Sequence, residues 1–278
     1  MNASHRWGSL SAVMAVLALV TLIGACTKTP VTGRRAFILL SEEEELKLGA
    51  DAYKEALKSE KICGDNATLS MVKKLGGQIE AVSGREKWNW EFKVIDNAKT
   101  MNAFALPGGK VAIYTGIIKP ALNEAGLAAI MGHEVAHAVA RHGAQRVSQS
   151  LLVQAGLSAA SLSVDDPKQK EAIIGGLGAG AALGILLPFS REHESEADQI
   201  GLLYMAKAGY DPAQAIAFWE RFKKATGGDG PPEFLSTHPA PSSRIRALKK
   251  ALPKALEEYK KSPKYGRGAV ISIPASCT

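Results

Sequence analysis

In the stretch "IMGHEVAHAVARH", residues 130–142, two histidines stand four residues apart and a glutamate directly follows the first. Side chains one turn apart share a face of an α-helix, so His133 and His137 project toward a common point. Two neutral imidazoles at that spacing fit two corners of a tetrahedral Zn²⁺ site, with bonds of about 2.0–2.1 Å. Glu134 is rotated by about one hundred degrees from His133. It therefore need not ligate the ion and is free to act as general base toward an attacking water. The residue types and spacing point to a metal ion that activates water for hydrolysis.

A third ligand must come from elsewhere in the chain. Gly143 occupies the position where a histidine-rich extension of the motif would place another histidine. No acidic residue lies between His137 and Asp165, and the first dense cluster is "REHESEADQIG", Arg191 to Gly201. On a helix Glu194 and Asp198 share a face, and so do Glu192 and Glu196. Spacing alone leaves both pairs open. His238, a lone histidine before proline in "STHPAPSSRI", is a further candidate, with Arg244 downstream as its support or as the partner of an acid. His142 and His193 read as structural.

These side chains need elements to hold them. Asn123 can cap the helix that carries His133 and His137, and Leu127, Ile130 and Val135 give that helix apolar surface to bury. "SEEEELKLGADAYKEALKS" reads as a helix capped by Ser41, with its glutamates beside the positive helix end. A second helix is expected over Asn66 to Val82. "WEFKVID" alternates apolar and polar residues, and "MNAFAL" and "KVAIYTG" flank a Pro107-Gly108-Gly109 turn, which together predict a small sheet containing a hairpin. From Asn123 onward the pattern is helical. The segment "AIIGGLGAGAALGILLPF", 172–189, carries no charge, but it is so rich in Gly and Ala that a packed helix is favoured over a membrane span.

The N-terminus reads as a leader. Arg6 precedes the uncharged run Leu10 to Ile23, which ends in "IGAC" like a bacterial lipobox, so Cys26 is expected to be lipidated and residues 1–25 removed. Residues 26–40 are then a lipidated tether and 41–278 a single domain. Cys63 and Cys277 remain as a pair in an exported chain and are expected to form a disulfide. The formal charge of +7 is spread along the chain, and its densest cluster, Lys249 to Lys264, is interleaved with Glu257 and Glu258. That pattern excludes nucleic acid as a partner and suits an anionic membrane surface.

"HEVAHAVARH" followed by "SREHESEADQIG" resembles the zinc metalloendopeptidase family that includes HtpX and the CAAX prenyl proteases. With the lipobox, the chain is similar to the envelope-lipoprotein branch of BepA and LoiP, without the repeat domain. The matching elements run from "PVTGRRAFILLSEEEE" through "NAFALPGGKVAIYTG" to "STHPAPSSRI". The resemblance implies an α+β, mostly helical, zincin-like domain with a small β-sheet beside the active-site helix. It implies one Zn²⁺ per chain, with Glu194 as third ligand and Asp198 orienting a ligand histidine. Replacing Glu192 or Glu196 should then leave the metal in place. His238 becomes an oxyanion donor or a ligand in a latent form. "NAFALPGG" becomes an edge strand near the cleft. The expected function is endopeptidase cleavage of misfolded or misassembled envelope proteins, on the periplasmic face of the outer membrane, alongside envelope assembly machinery. Two alternatives are a non-catalytic assembly factor with a structural zinc and an integral membrane protease spanning at 172–189.

Overall fold

The computed structural model describes residues 26–64, 67–161, 166, 189–225, 238, 241–263 and 277. Residues 1–25, expected as a leader, and 172–188 lie outside them. Among the described residues no helix is long and apolar enough to cross a membrane.

The fold is α+β. Strands β1 (Cys26–Lys28) and β2 (Arg35–Phe37) form an antiparallel hairpin, with Thr27 opposite Ala36. Within this segment, expected as a lipidated tether, Thr29, Ala36 and Ile38 are buried. Its strands are only three residues long, too short for an alternating apolar pattern to announce them. Helix α1 (Glu42–Leu57) begins with a capping box. Ser41 accepts from the Glu44 amide while the Glu44 carboxylate accepts from the Ser41 amide. Helix α2 (Ala67–Ser83) buries Val72, Leu75 and Ile79 on one face.

The second sheet contains β3 (Glu91–Ile95), β4 (Ala103–Leu106) and β5 (Lys110–Tyr114), in the order β3-β5-β4. β4 and β5 are the expected hairpin, Leu106 facing Lys110, while β3 runs parallel to β5 with Phe92 beside Val111. Gly108 and Gly109 close the turn at φ +82° and +78°, a region that L side chains rarely adopt. β4 therefore forms one edge of the sheet.

Among the described residues the remaining helices are α3 (Thr115–Ala121), α4 (Glu124–Val139), α5 (His142–Ser161), α6 (Arg191–Lys207), α7 (Ala213–Ala225) and α8 (Pro241–Lys261). Asn123 caps α4 by accepting from the Gly126 amide at 2.7 Å. Every residue of α4 from Ala125 to Val139 is buried, as expected for a helix that is apolar on all sides. It packs on α6, α7, α2 and β4, so the central helix of the core is the one that carries the histidines.

The crossing of α4 and α6 is unusually close. A Cβ on Gly132 would lie 2.8 Å from the Gly201 carbonyl oxygen, and one on Gly201 would lie 2.7 Å from the His133 amide nitrogen. Only glycines permit this approach, which occurs one residue before His133. Cys63, ahead of α2, is joined to Cys277 as a disulfide with Cα atoms 4.8 Å apart.

Candidate metal centre

Ser190 caps α6 by accepting from the His193 amide at 3.1 Å, which starts the helix so that Glu194 falls in its first turn. The close α4–α6 crossing then sets Glu194 against the histidines of α4. His137 Nε2 lies 3.0 Å from His133 Nε2 and 3.2 Å from Glu194 Oε1. His133 Nε2 lies 3.5 Å from Glu194 Oε2. His238 Nδ1 completes the group, 2.9 Å from Glu194 Oε1 and 3.4 Å from His133 Nε2. Four donors about 2.0–2.2 Å from a tetrahedral ion would stand about 3.3–3.6 Å apart. The arrangement fits one zinc.

The chemistry of the donors points the same way. His133 Nδ1 lies 3.1 Å from Asp198 Oδ1 and 2.8 Å from Arg244 Nη2, while its Nε2 faces the Nε2 of His137. The Arg244 guanidinium lies against this group, its Nη2 3.0 Å from His133 Nε2 and its Nη1 3.0 Å from Glu194 Oε2. Glu194 Oε2 is buried and accepts no hydrogen bond among the described residues. Burial and Arg244 oppose a proton on His133, yet Asp198 and Glu194 outweigh them and carry its pKa to about 9. The cluster thus attracts positive charge. Burial holds His137 well below its usual value, keeping it neutral as a ligand must be. Glu194 is driven well below the usual carboxylate range; burial opposes this, but His238 and Arg244 prevail.

Asp198 is locked in turn by a two-pronged grip from Arg244 of α8. Nε donates to Oδ2 at 2.9 Å and Nη2 to Oδ1 at 2.6 Å. The same guanidinium places Nη1 3.0 Å from Glu194 Oε2 and stacks with its carbon 3.8 Å from the centre of the Trp219 ring. Arg244 and Asp198 are both 3% exposed. Glu134 is buried beside the donors without joining them, its Oε1 3.5 Å from His238 Nε2. Burial raises its carboxyl above the ordinary value, with His238 and His133 acting in the opposite direction.

The two acidic pairs left open by spacing are separated by the fold. Glu194 and Asp198 meet the histidines of α4, whereas the Glu192 side chain is 69% exposed. Glu196 is buried and reaches His142 Nε2 at 3.0 Å, and His142 Nδ1 lies 2.9 Å from His137 Nδ1. Spacing leaves Glu196 open as a candidate, whereas His142 reads as structural, and the contact between them is not foreseen. The chain leaves helical geometry between them and His137, Arg141 taking φ +60°, so no helical spacing signals the contact. Beside the cluster an apolar cleft runs between Leu48, Ala105, Leu106 and Pro107 on one side and His137 and Phe189 on the other. The Phe189 ring covers His137 with centroids 3.8 Å apart.

A histidine pair and a neighbouring glutamate on one helix, crossed by a second helix that brings another glutamate to them, fit a zincin-like metallopeptidase domain. Residues 68–252 match the family described as Peptidase family M48, and the chain belongs to it. That family is zinc-dependent, and the four donors are placed so that they could hold a single ion. The chain is 39% identical to the mitochondrial metalloendopeptidase OMA1 of Schizosaccharomyces pombe, over 81% of this chain and 66% of that one. It is 34% identical to the protein of the same name from Saccharomyces cerevisiae, over 88% and 76%. With the beta-barrel assembly-enhancing protease of Escherichia coli K12 the identity is 30%, over 78% of this chain but only 45% of the relative. The first and last of these relatives thus extend well beyond what this chain spans.

Proposed function

We propose that this chain is a zinc-dependent endopeptidase of the bacterial cell envelope, lipid-anchored through Cys26, that cleaves misfolded or misassembled envelope proteins. The observation that carries the catalytic part is the placement of Glu134, buried against the four donors but not one of them. A purely structural zinc has no use for that carboxylate, which argues against a non-catalytic assembly factor.

When bound, zinc supplies Lewis-acid polarisation of the scissile carbonyl and activation of water. The chain supplies the remaining parts. Glu134 takes the proton of the attacking water and returns it to the leaving amine, and its raised pKa suits both steps. His133 is fixed by Asp198, and Asp198 by Arg244. His238 Nδ1 stands in the fourth corner of the donor set, which supports a latent form that opens when His238 withdraws, over a role as oxyanion donor. β4 has β5 on one side and lines the apolar cleft with Ala105 and Leu106, so an extended substrate can add along its outer edge.

The envelope location rests on the leader-like run ending at Cys26 and on the similarity to the E. coli protease named for barrel assembly. The hairpin that begins at Cys26 lies against the catalytic helices, which would hold the site close to the bilayer surface. Glu134→Gln tests the catalytic claim: zinc content should persist while turnover falls by at least about 10²-fold. Turnover near wild type would mean that another group activates the water. Cys26→Ser tests the anchor; a variant that still sediments with membranes after leader removal contradicts it.

A further inference from the structure

The two histidine ligands of α4 are held in different ways. His133 is oriented directly by a carboxylate, Asp198. His137 instead presents Nδ1 to another imidazole, His142 Nδ1, at 2.9 Å. Two ring nitrogens at that distance share one proton, so one donates and the other accepts. The direction is decided at the far end of His142. Its Nε2 lies 3.0 Å from Glu196 Oε2, and a carboxylate only accepts. His142 therefore carries its proton on Nε2 and offers a bare Nδ1. His137 must donate from Nδ1, which turns its Nε2 lone pair toward the donor cluster.

Glu196 is in turn fixed by the N-terminal hairpin. Thr29 Oγ1 donates to Oε1 at 2.6 Å, Thr32 Oγ1 donates to the same oxygen, and Arg34 Nε donates to Oε2 at 2.6 Å. Arg34 also donates through Nη2 to Gln145 Oε1 at 2.8 Å, tying the hairpin to α5. Thr29 and Glu196 are each 4% exposed and His142 is fully buried, so solvent is kept from the Thr29–Glu196 and Glu196–His142 bonds. Resting on the metallopeptidase reading, we propose that His142 is a positioning residue for the metal ligand His137. It is locked by Glu196, and Thr29, Thr32 and Arg34 of the N-terminal hairpin belong to this outer support of the metal centre. On this inference the expectation that Glu196 is dispensable for metal binding is reversed.

The test uses the full chain and two readouts, zinc affinity by competition with a chromophoric chelator and the visible spectrum of the Co²⁺-loaded protein. His142→Phe keeps a buried ring but removes the acceptor, whereas His142→Gln can accept from His137 and donate to Glu196. Zinc should bind about 10–100-fold more weakly to His142→Phe, with an altered cobalt spectrum, and within a few-fold of wild type to His142→Gln. A residue that merely fills space would give the opposite ranking. Thr29→Val/Thr32→Val removes two donors at constant shape and should weaken zinc in the same direction. Wild-type affinity in His142→Phe, or no advantage of Gln over Phe, overturns the role of His142. Should His142→Phe not fold, unchanged affinity and spectrum in the double Val variant still overturns the role of the hairpin. A wild-type chain that binds no zinc would instead sink the underlying reading, so the two failures are distinguishable.

Discussion

Gly201→Ala should damage the metal centre more than it damages the fold. A Cβ at Gly201 would lie 2.7 Å from the His133 amide nitrogen, 2.8 Å from the Gly132 carbonyl carbon and 2.9 Å from His133 Cα. Ordinary contacts are about 3.5–4.0 Å, so α6 must retreat from α4 by about 0.8 Å. All three atoms are backbone, and no side-chain rotation relieves the clash. Overpacking of this kind destabilises by about 1–3 kcal/mol, offset in part by the higher helix propensity of Ala, worth about 1 kcal/mol. The net loss of stability is modest. Glu194 and Asp198 ride on the same rigid helix, however, and a displacement approaching 1 Å in a catalytic constellation lowers the rate by about 10²-fold. Gly77→Ala is the matched control, since a Cβ there meets nothing within 4 Å and Ala stabilises a helix interior by up to about 1 kcal/mol. Urea unfolding of the zinc-free proteins, zinc competition and casein cleavage measure the three quantities. A Gly201→Ala chain with wild-type zinc affinity and turnover would refute the argument that this crossing sets the site.

His238→Ala should raise casein cleavage if His238 closes the fourth corner in a latent form, and a fall would move His238 to an oxyanion role. Glu196 is held at about 2 against an ordinary 4.5; burial opposes this, but His142, Thr29, Thr32 and Arg34 prevail. A depressed carboxylate stabilises above its unfolded pKa, so the zinc-free protein should lose stability as pH falls from 4.5 toward 2. Glu196→Gln should flatten that decline, and an unchanged slope would count against it. Reduction of Cys63–Cys277 opens a loop of 214 residues, worth up to about 5 kcal/mol in the chain-entropy limit. Thermal stability should drop while zinc remains bound, because neither thiol reaches the site; an unchanged melting temperature contradicts this.

Much of the site was legible because it depends on short-range geometry. One helical turn places His133 beside His137, and local caps at Ser41 and Asn123 mark where α1 and α4 begin. The β4–β5 hairpin was readable from its glycine turn, but the parallel pairing of β3 with β5 joins segments whose sequences carry no register signal. The choice of Glu194 over Glu196 depends on how α6 crosses α4. Their close approach depends on Gly132 and Gly201, whose importance lies in what they lack. The N-terminal hairpin escaped sequence reading for a related reason. Much of what holds it to the core is polar, Thr29, Thr32 and Arg34 bonding to a buried carboxylate far along the chain, and hydrophobic periodicity is blind to such contacts. His142 looked like one more structural histidine until Glu196 was seen behind it.

On the proposed reading one zinc, held by His133, His137 and Glu194, serves a peptidase whose base is Glu134. Zinc content and casein cleavage measured together on the purified chain test it most directly. The chain should hold one zinc, its cleavage should stop on chelation and return with zinc, and the Glu134→Gln variant should be inert while still holding its metal. Cleavage that survives removal of the metal would contradict it, as would zinc-loaded wild-type and His238→Ala chains that both leave casein intact.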